Sequence, residues 1–162
     1  MSRKISNPPP ASSEGVHKSM VSNKAKGTRL ELEVVSALRR RKQFGYRLNW
    51  SGVQGKPDIA FPKYRLAIFV HGCFWHLCPK CGIHIPTTHR SYWKQKLESN
   101  AERDRLAIEY LHSVGWTTLI IWEHEARKDP EKAVDRIMET LSHLKTIQGS
   151  VSANSRISAC LR

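Results

Sequence analysis

The chain contains 162 residues, which is room for one ordinary domain with short extensions. Hydrophobic residues make up 40% of it, enough for a packed core, so a wholly disordered protein is excluded. Lys and Arg number 27 against 14 Asp and Glu, and this net charge of +13 indicates a polyanionic partner such as nucleic acid.

The first predicted elements are a disordered arm and an amphipathic helix. Pro and Ser are frequent in residues 1–20, which we expect to be disordered, and Lys24 and Lys26 follow where they could contact phosphate. Thr28 and Glu31 then form a capping box, the signature of a helix N-terminus, ahead of an apolar stripe. The N-terminal residues do not resemble a secretory signal and no apolar run could span a membrane, so we expect a cytosolic protein.

The middle of the chain predicts strands and a long helix. Residues 57–61 and 65–70 predict two strands joined by a tight turn. A helical period covers residues 87–114, with a break expected near Ser99-Asn100. The β-branched and apolar run at residues 117–122 predicts a buried strand.

The end of the chain predicts one more helix and a tail. Asp129 and Pro130 suit an N-cap and a first helical position, and an apolar face continues to Leu144. Residues 147–162 turn to Ser, Gly and Asn and are predicted to be a flexible tail, so the folded domain spans residues 21–146. This order of elements predicts an α/β domain with a small mixed central sheet flanked by helices.

Residues 70–81 combine histidines, cysteines and adjacent aromatic residues directly after a strand. Three cysteines have metal-ligand spacing: Cys73, Cys78 and Cys81. A tetrahedral zinc site needs a fourth ligand, and we favour His124 because it leaves a strand and is positioned by the fold. Cys160 and His84 also qualify by residue type. The alternative is three buried free cysteines without a metal.

A second pattern, upstream of this cluster, predicts phosphodiester hydrolysis. Pro57-Asp58 stands ahead of a strand, and ionisable residues return about a dozen positions later, as in the nuclease pattern PD-(D/E)xK. The positions expected to carry the second acid and the lysine carry Phe69 and His71 instead. A neutral imidazole is able to replace the lysine at physiological pH.

Four groups of residues, in order along the chain, resemble the very-short-patch repair (Vsr) endonucleases, the bacterial nickases of T:G mismatches. They are Gly55-Lys56-Pro57-Asp58, His71-Gly72-Cys73-Phe74-Trp75-His76, Tyr92-Trp93-x2-Lys96-x3-Asn100-x2-Arg103-Asp104, and Gly115-Trp116 followed by Ile121-Trp122-Glu123. The resemblance extends from Lys18 to Leu144. It implies a restriction-endonuclease-like core with a structural zinc site.

The resemblance also implies a role for each matching residue of the active site. Asp58 would bind Mg²⁺ together with the backbone carbonyl of Val70, where the family has a threonine. His76 would be the general base toward the attacking water, and His71 would contact the phosphate or the hydrated metal. Glu31 would hydrogen-bond within this site. Two simpler roles stay open: Glu31 as a capping residue only, and His76 as a zinc ligand.

Three aromatic residues match those that family members insert beside the mismatch to unstack bases: Phe74, Trp75 and Trp93. Trp93 could instead be a helix core residue, since Leu97 lies four positions further on. The zinc ligands depart from the family pattern, in which a histidine and a cysteine follow the second catalytic histidine and a cysteine follows the last strand. Here the set is three cysteines and one histidine.

The resemblance implies a Mg²⁺-dependent, zinc-stabilised nickase that cuts duplex DNA on the 5′ side of the T in a T:G mismatch. Its implied partners are mismatched double-stranded DNA and mismatch-repair mediators, and its implied location is the bacterial cytoplasm, at the nucleoid when acting. A monomer is the simpler expectation for an asymmetric mismatch. Two alternatives stay open: a related nuclease with relaxed or different substrate preference, and a non-catalytic, zinc-stapled DNA-binding module.

Overall fold

The structure is a computed structural model that describes residues 28–159, with side chains as far as residue 150. The predicted arm, Lys24, Lys26 and Cys160 lie outside the described residues. Within this described part, no helix is both long enough and apolar enough to cross a membrane.

A four-stranded mixed sheet forms the centre of the fold, in the order β1-β2-β3-β4. Its strands are β1 (Arg47–Leu48), β2 (Ile59–Phe61), β3 (Leu66–His71) and β4 (Thr117–Trp122). β2 is antiparallel to both β1 and β3, whereas β3 and β4 are parallel. A parallel pair needs a crossover connection, and a long helix supplies it here.

Among residues 28–159, four α-helices surround the sheet: α1 (Arg29–Arg40), α2 (Arg90–Ser113), α3 (Glu123–Lys128) and α4 (Pro130–Ala159). The alternating residues of β3 divide the core into two layers, because successive side chains of a strand point to opposite faces. Leu66 and Ile68 pack with α1 and α4 in the larger layer. Ala67 and Phe69 pack with Leu111 of α2 on the other face. The predicted mixed α/β domain is confirmed.

The predicted helix start and hairpin are confirmed. Thr28 is the N-cap of α1, and its side chain and that of Glu31 form both bonds of the capping box. β2 and β3 pair antiparallel across a short 3₁₀ turn at Pro62–Tyr64. The sequence missed β1, whose two residues are too few to give a periodic pattern, and the short helix α3.

The expected break near Ser99-Asn100 is wrong, because α2 is continuous from Arg90 to Ser113. Asparagine disfavours helices when its amide competes for the local backbone. The Asn100 side chain is buried and bonded elsewhere: its Nδ2 donates to the carbonyl of Trp75 at 3.2 Å, and its Oδ1 accepts from Arg103 at 3.2 Å. The helix therefore continues through it.

Two other expectations differ from the structure. β4 is less buried than predicted, with only Ile121 fully buried, because β4 is an edge strand that pairs on one side only. α4 extends to Ala159, so its helical backbone continues past residue 147, where the sequence predicts a flexible tail. Residues 147–159 contain no proline and one glycine, so nothing in them stops the helix after its last core residue.

Gly55→Ala should destabilise the fold more than Gly45→Ala. Both glycines have positive φ, +97° and +87°, so each alanine adds about 1–2 kcal/mol of backbone strain. Only at position 55 would the new Cβ meet α2, at 3.2 Å from the Cβ of Ala107. We expect Gly55→Ala to lower the free energy of unfolding in urea by about 1 kcal/mol more than Gly45→Ala does.

A double-mutant cycle with Ala107→Gly provides the control for this prediction. Because that change removes the contacting Cβ, it should recover the extra loss of Gly55→Ala and leave that of Gly45→Ala unchanged. Equal losses in the two glycine variants would show that contact with α2 contributes nothing.

Candidate active site and cysteine–histidine cluster

Two neighbouring strands end at the same edge of the sheet and bring the predicted site residues together. β3 and β4 are parallel and in register from Leu66↔Thr117 to His71↔Trp122. The residues that follow each strand therefore leave the sheet side by side. Cys73, two residues after β3, lies with its Sγ 3.3 Å from Nδ1 of His124, two residues after Trp122.

Asp58 lies beside the end of β3, just before β2. Its Oδ2 accepts a hydrogen bond from the backbone N–H of Val70 at 2.8 Å. The pKa of Asp58 is raised to about 6, chiefly by burial and also by the negative charge of Glu31, against the Val70 hydrogen bond that lowers it. A nearby cation would therefore stabilise the ionised form of this carboxylate.

The Val70 carbonyl faces the same side of β3 as Asp58. The N–H and C=O of one strand residue point to the same side, and the Val70 N–H points to Asp58. Extending the pairing Ile59↔Ile68 by two residues puts Pro57 opposite Val70. Because proline has no N–H, it cannot donate to this carbonyl in the sheet ladder. No N–H of Pro57 therefore competes for this carbonyl oxygen, which points to the Asp58 side of β3.

His71 and His76 stack face to face, with ring centroids 3.9 Å apart and planes 7° apart. Nδ1 of His76 also lies 2.5 Å from Oδ2 of Asp104, on α2. Burial lowers the pKa of His71 to about 4, so this ring is neutral at physiological pH. One ligand atom from each of His71, His76 and Asp104 lies within 4.8 Å of the others, so these side chains are close enough to act on one substrate group or to share one ion.

Sequence reasoning gave no role to Asp104, although it belongs to one of the matching motifs. The available signal was its spacing on α2: Trp93, Asn100 and Asp104 are seven and four residues apart and share one helix face. That face contacts three consecutive residues of the loop after β3, of which Asp104 contacts His76.

Glu31 performs its capping role and also lies near Asp58. It is buried, at 8% exposure, and its Oε1 accepts from the backbone N–H and the hydroxyl of Thr28. Its charge contributes to the raised pKa of Asp58. The two roles predicted for Glu31 therefore do not exclude each other.

The three cysteines and His124 converge on one point. Their ligand atoms all lie within 4.8 Å of one another. Nδ1 of His124 is 3.3, 3.7 and 3.3 Å from the sulfurs of Cys73, Cys78 and Cys81, and the Cys73 and Cys81 sulfurs are 3.6 Å apart. A tetrahedral zinc with ordinary bond lengths needs separations of about 3.6 Å for N···S and about 3.8 Å for S···S.

This set of side chains therefore fits a tetrahedral zinc ion. Burial raises the pKa of the Cys73 thiol to about 12, so its thiolate needs a compensating cation. His76 is bonded to Asp104 and stacked on His71, outside this set, and His84 is exposed and is not part of it.

The predicted wedge residues form one aromatic group. The ring centroid of Trp93 is 5.8 Å from that of Phe74 and 6.0 Å from that of Trp75, and the Phe74 and Trp75 centroids are 5.2 Å apart. All three side chains are partly exposed, whereas Leu97 is fully buried. Trp93 is therefore not a helix core residue, and the group has a solvent-facing surface next to the histidine pair.

Comparisons with known proteins agree with this arrangement. A family model described as DNA mismatch endonuclease Vsr matches residues 12–81. The chain is 43% identical over 136 residues to the type II nicking enzyme V.NaeI of Lentzea aerocolonigenes, covering 81% of this chain and 79% of that protein. It is 38% identical over 93 residues to the DNA mismatch endonuclease Vsr of Escherichia coli K12, covering 57% of this chain and 59% of that protein.

A third relative, the type II nicking enzyme V.NmeDIP of Neisseria meningitidis serogroup C, is 34% identical over 128 residues, covering 76% of this chain and 84% of that protein. The chain belongs to the Vsr family of DNA endonucleases.

Proposed function

We propose that this protein nicks duplex DNA on the 5′ side of the T in T:G mismatches, which arise when 5-methylcytosine deaminates. The reaction is hydrolysis of one phosphodiester, which leaves a 3′-hydroxyl and a 5′-phosphate. The observation that carries the proposal is the His76–Asp104 pair, stacked on neutral His71 beside Asp58. The relatives are named as mismatch and nicking endonucleases, which agrees with it.

His76 acts as the general base. The Asp104 carboxylate accepts a hydrogen bond from Nδ1 of His76, which assigns the ring proton to Nδ1 and leaves the Nε2 lone pair free to take a proton from water. Asp104 also stabilises the imidazolium that forms. His71 stays neutral beside it and so does not repel this new charge.

Asp58 and the Val70 carbonyl would hold Mg²⁺ at the scissile phosphate. This ion, when bound, supplies charge stabilisation of the phosphate oxygens. The chain contributes a carboxylate whose pKa is raised chiefly by burial, and a carbonyl that faces a proline in the extended strand pairing. His71 contacts the phosphate from the adjacent side, and Glu31 supports the site through its charge near Asp58.

The cysteine–histidine cluster would hold a structural zinc ion, and the aromatic group would contact the mismatch. Cys73 of the cluster and the aromatic pair Phe74 and Trp75 belong to one short loop, so zinc would hold the loop that presents these rings to the base stack. Lys24 and Lys26 would add phosphate contacts. A monomer acting in the bacterial cytoplasm, at the nucleoid, fits this substrate, with mismatch-repair mediators as further partners.

A panel of duplexes tests the proposed substrate. The duplexes have identical flanking sequence and differ at one base pair, which is T:G, one of the matched pairs C:G and T:A, or another mismatch. Each strand is end-labelled in a separate experiment. We expect Mg²⁺-dependent cleavage of the T strand only, at least tenfold faster on T:G than on the matched pairs. Equal cleavage of all duplexes would favour a nuclease of relaxed preference, and tight binding without cleavage would favour a non-catalytic DNA-binding module.

Asp58→Asn should abolish nicking and stabilise the protein. Asn keeps the shape of the side chain and the hydrogen bond from Val70, but it has no charge to bury. Burial of the Asp58 charge is the chief cause of the rise in its pKa from 3.8 to about 6. That shift corresponds to at most about 3 kcal/mol. The gain in unfolding free energy, measured without Mg²⁺, should be absent below pH 4, appear as the pH rises toward 6 and be complete above it.

A lack of stabilisation at pH 7.5 would contradict the assigned burial of charge at Asp58, and undiminished nicking would contradict its catalytic role. Asp135→Asn is the matched control, because Asp135 is an exposed partner of Arg41 and lies away from the site. This control should leave nicking unchanged and show no stabilisation.

The zinc assignment predicts one zinc ion per chain in the purified protein. Cys78→Ser and His124→Ala should each lose that ion and lower the free energy of unfolding by about 3 kcal/mol or more, because zinc binding is coupled to folding. Cys160→Ser is the control and should retain full zinc content by elemental analysis. Loss of zinc in Cys160→Ser but not in His124→Ala would reassign the fourth ligand.

A further inference from the structure

The turn that carries the aromatic pair and His76 begins at Gly72. The His76 N–H donates to the Gly72 carbonyl at 3.2 Å, and the Cys78 N–H donates to the Cys73 carbonyl at 2.9 Å. As at the start of any helical turn, the first N–H groups point backward and find no acceptor inside the turn. The N–H of Cys73 is one of these, and its acceptor must come from another part of the chain.

Glu123, the first residue of α3, supplies that acceptor. Its Oε2 accepts from the backbone N–H of Cys73 at 2.9 Å, across 50 residues of sequence. A carboxylate bound to a backbone N–H is a charge-assisted bond, about twice as strong as a neutral one. The other oxygen, Oε1, pairs with Arg127 at 2.8 Å. Arg127 is largely exposed, so this second contact contributes little.

Gly72 leaves room for this approach. A Cβ at position 72 would lie 3.3 Å from Cδ1 of Trp75 and 3.7 Å from Oε2 of Glu123. The carboxylate, the turn and the Trp75 ring therefore pack closely around a residue without a side chain. A small displacement of the turn would move the ring and the His76 backbone together.

The neighbouring acid, Glu125, performs a different task. Its carboxylate accepts from the Trp122 N–H at 3.3 Å and pairs with Arg136 of α4 at 2.6 Å and with Lys80 at 3.9 Å. These contacts stabilise α3 and its packing without touching the backbone of the turn. Glu125 is thus an internal control, of the same residue type and two positions away.

We propose that Glu123 is a positioning residue for the active site: it binds the start of the turn and thereby sets where Nε2 of His76 and the aromatic side chains lie relative to Asp58. The inference rests on the nicking function proposed above. Glu123 acts on the backbone, whereas the cysteine cluster holds the side chain of Cys73. The cluster restrains the position of the Cys73 sulfur, and the hydrogen bond to its N–H restrains the orientation of its backbone.

Steady-state nicking of the T:G duplex by zinc-loaded variants tests this role. We expect Glu123→Ala to lower kcat at least about tenfold while KM stays within about twofold, because binding is kept and positioning is lost. Glu123→Gln should recover most of the rate, since its amide oxygen can accept the same hydrogen bond. Glu125→Ala should lower the Tm at least as much as Glu123→Ala but leave kcat within about twofold.

Amide hydrogen exchange, followed by NMR on the same zinc-loaded proteins, gives a measurement that does not depend on nicking. The Cys73 and His76 amides should exchange at least about tenfold faster in Glu123→Ala than in the parent or in Glu125→Ala, with zinc content unchanged. Unchanged exchange at Cys73, or an equal loss of kcat in Glu123→Ala and Glu125→Ala, would overturn the proposal.

Failure of the proposed function would look different from failure of this inference. If the parent protein nicks no duplex in the panel, the function is wrong, and the exchange rates at Cys73 and His76 still decide whether Glu123 holds the turn. If the parent nicks and these amides do not respond to Glu123→Ala, the function stands and the positioning role is wrong.

Discussion

The in-register parallel pairing of β3 with β4 is the constraint on which both candidate sites depend. It ends at His71↔Trp122, so that the chain leaves two strands at one edge of the sheet. Cys73 and His124 then come within 3.3 Å although 51 residues separate them in sequence. A shift of one residue would turn alternate side chains of β4 to the opposite face and would move His124 away from Cys73. The buried apolar residues of β3 oppose such a shift, because both of its faces are packed.

The candidate active site contains two ionisable side chains, Asp58 and His71, whose charged forms are disfavoured by burial. Burial raises the pKa of Asp58 and lowers that of His71, so each group is forced toward its neutral form. Opposed shifts in adjacent groups are typical of sites that bind a cation and move a proton. The fold can carry them because the larger apolar layer, which includes residues of all the helices but α2, is fully packed.

α2 and α3 connect the three kinds of residue in the loop after β3. α2 contacts the aromatic side chains through Trp93, the Trp75 carbonyl through Asn100 and His76 through Asp104. α3 holds Cys73 through Glu123 and His124. The loop has little regular structure of its own, so two helices that flank the sheet edge provide its rigidity. The same two helices therefore hold the cysteine–histidine cluster, the aromatic group and the histidine pair in place.

The sequence by itself determined the elements that depend on local chemistry: the capping box at Thr28 and Glu31, the hairpin before His71, and the cysteine spacing that predicts a metal site. The favoured fourth ligand, His124, also follows from its place after a strand, and the structure brings it to the cysteines. Only the tertiary structure decided the contact of Asp104 with His76, the hydrogen bond of Glu123 with the Cys73 N–H and the continuity of α2 through Asn100. Each of these depends on a partner distant in sequence, and no local pattern encodes which carboxylate or amide will lie beside a given backbone group once the sheet has formed.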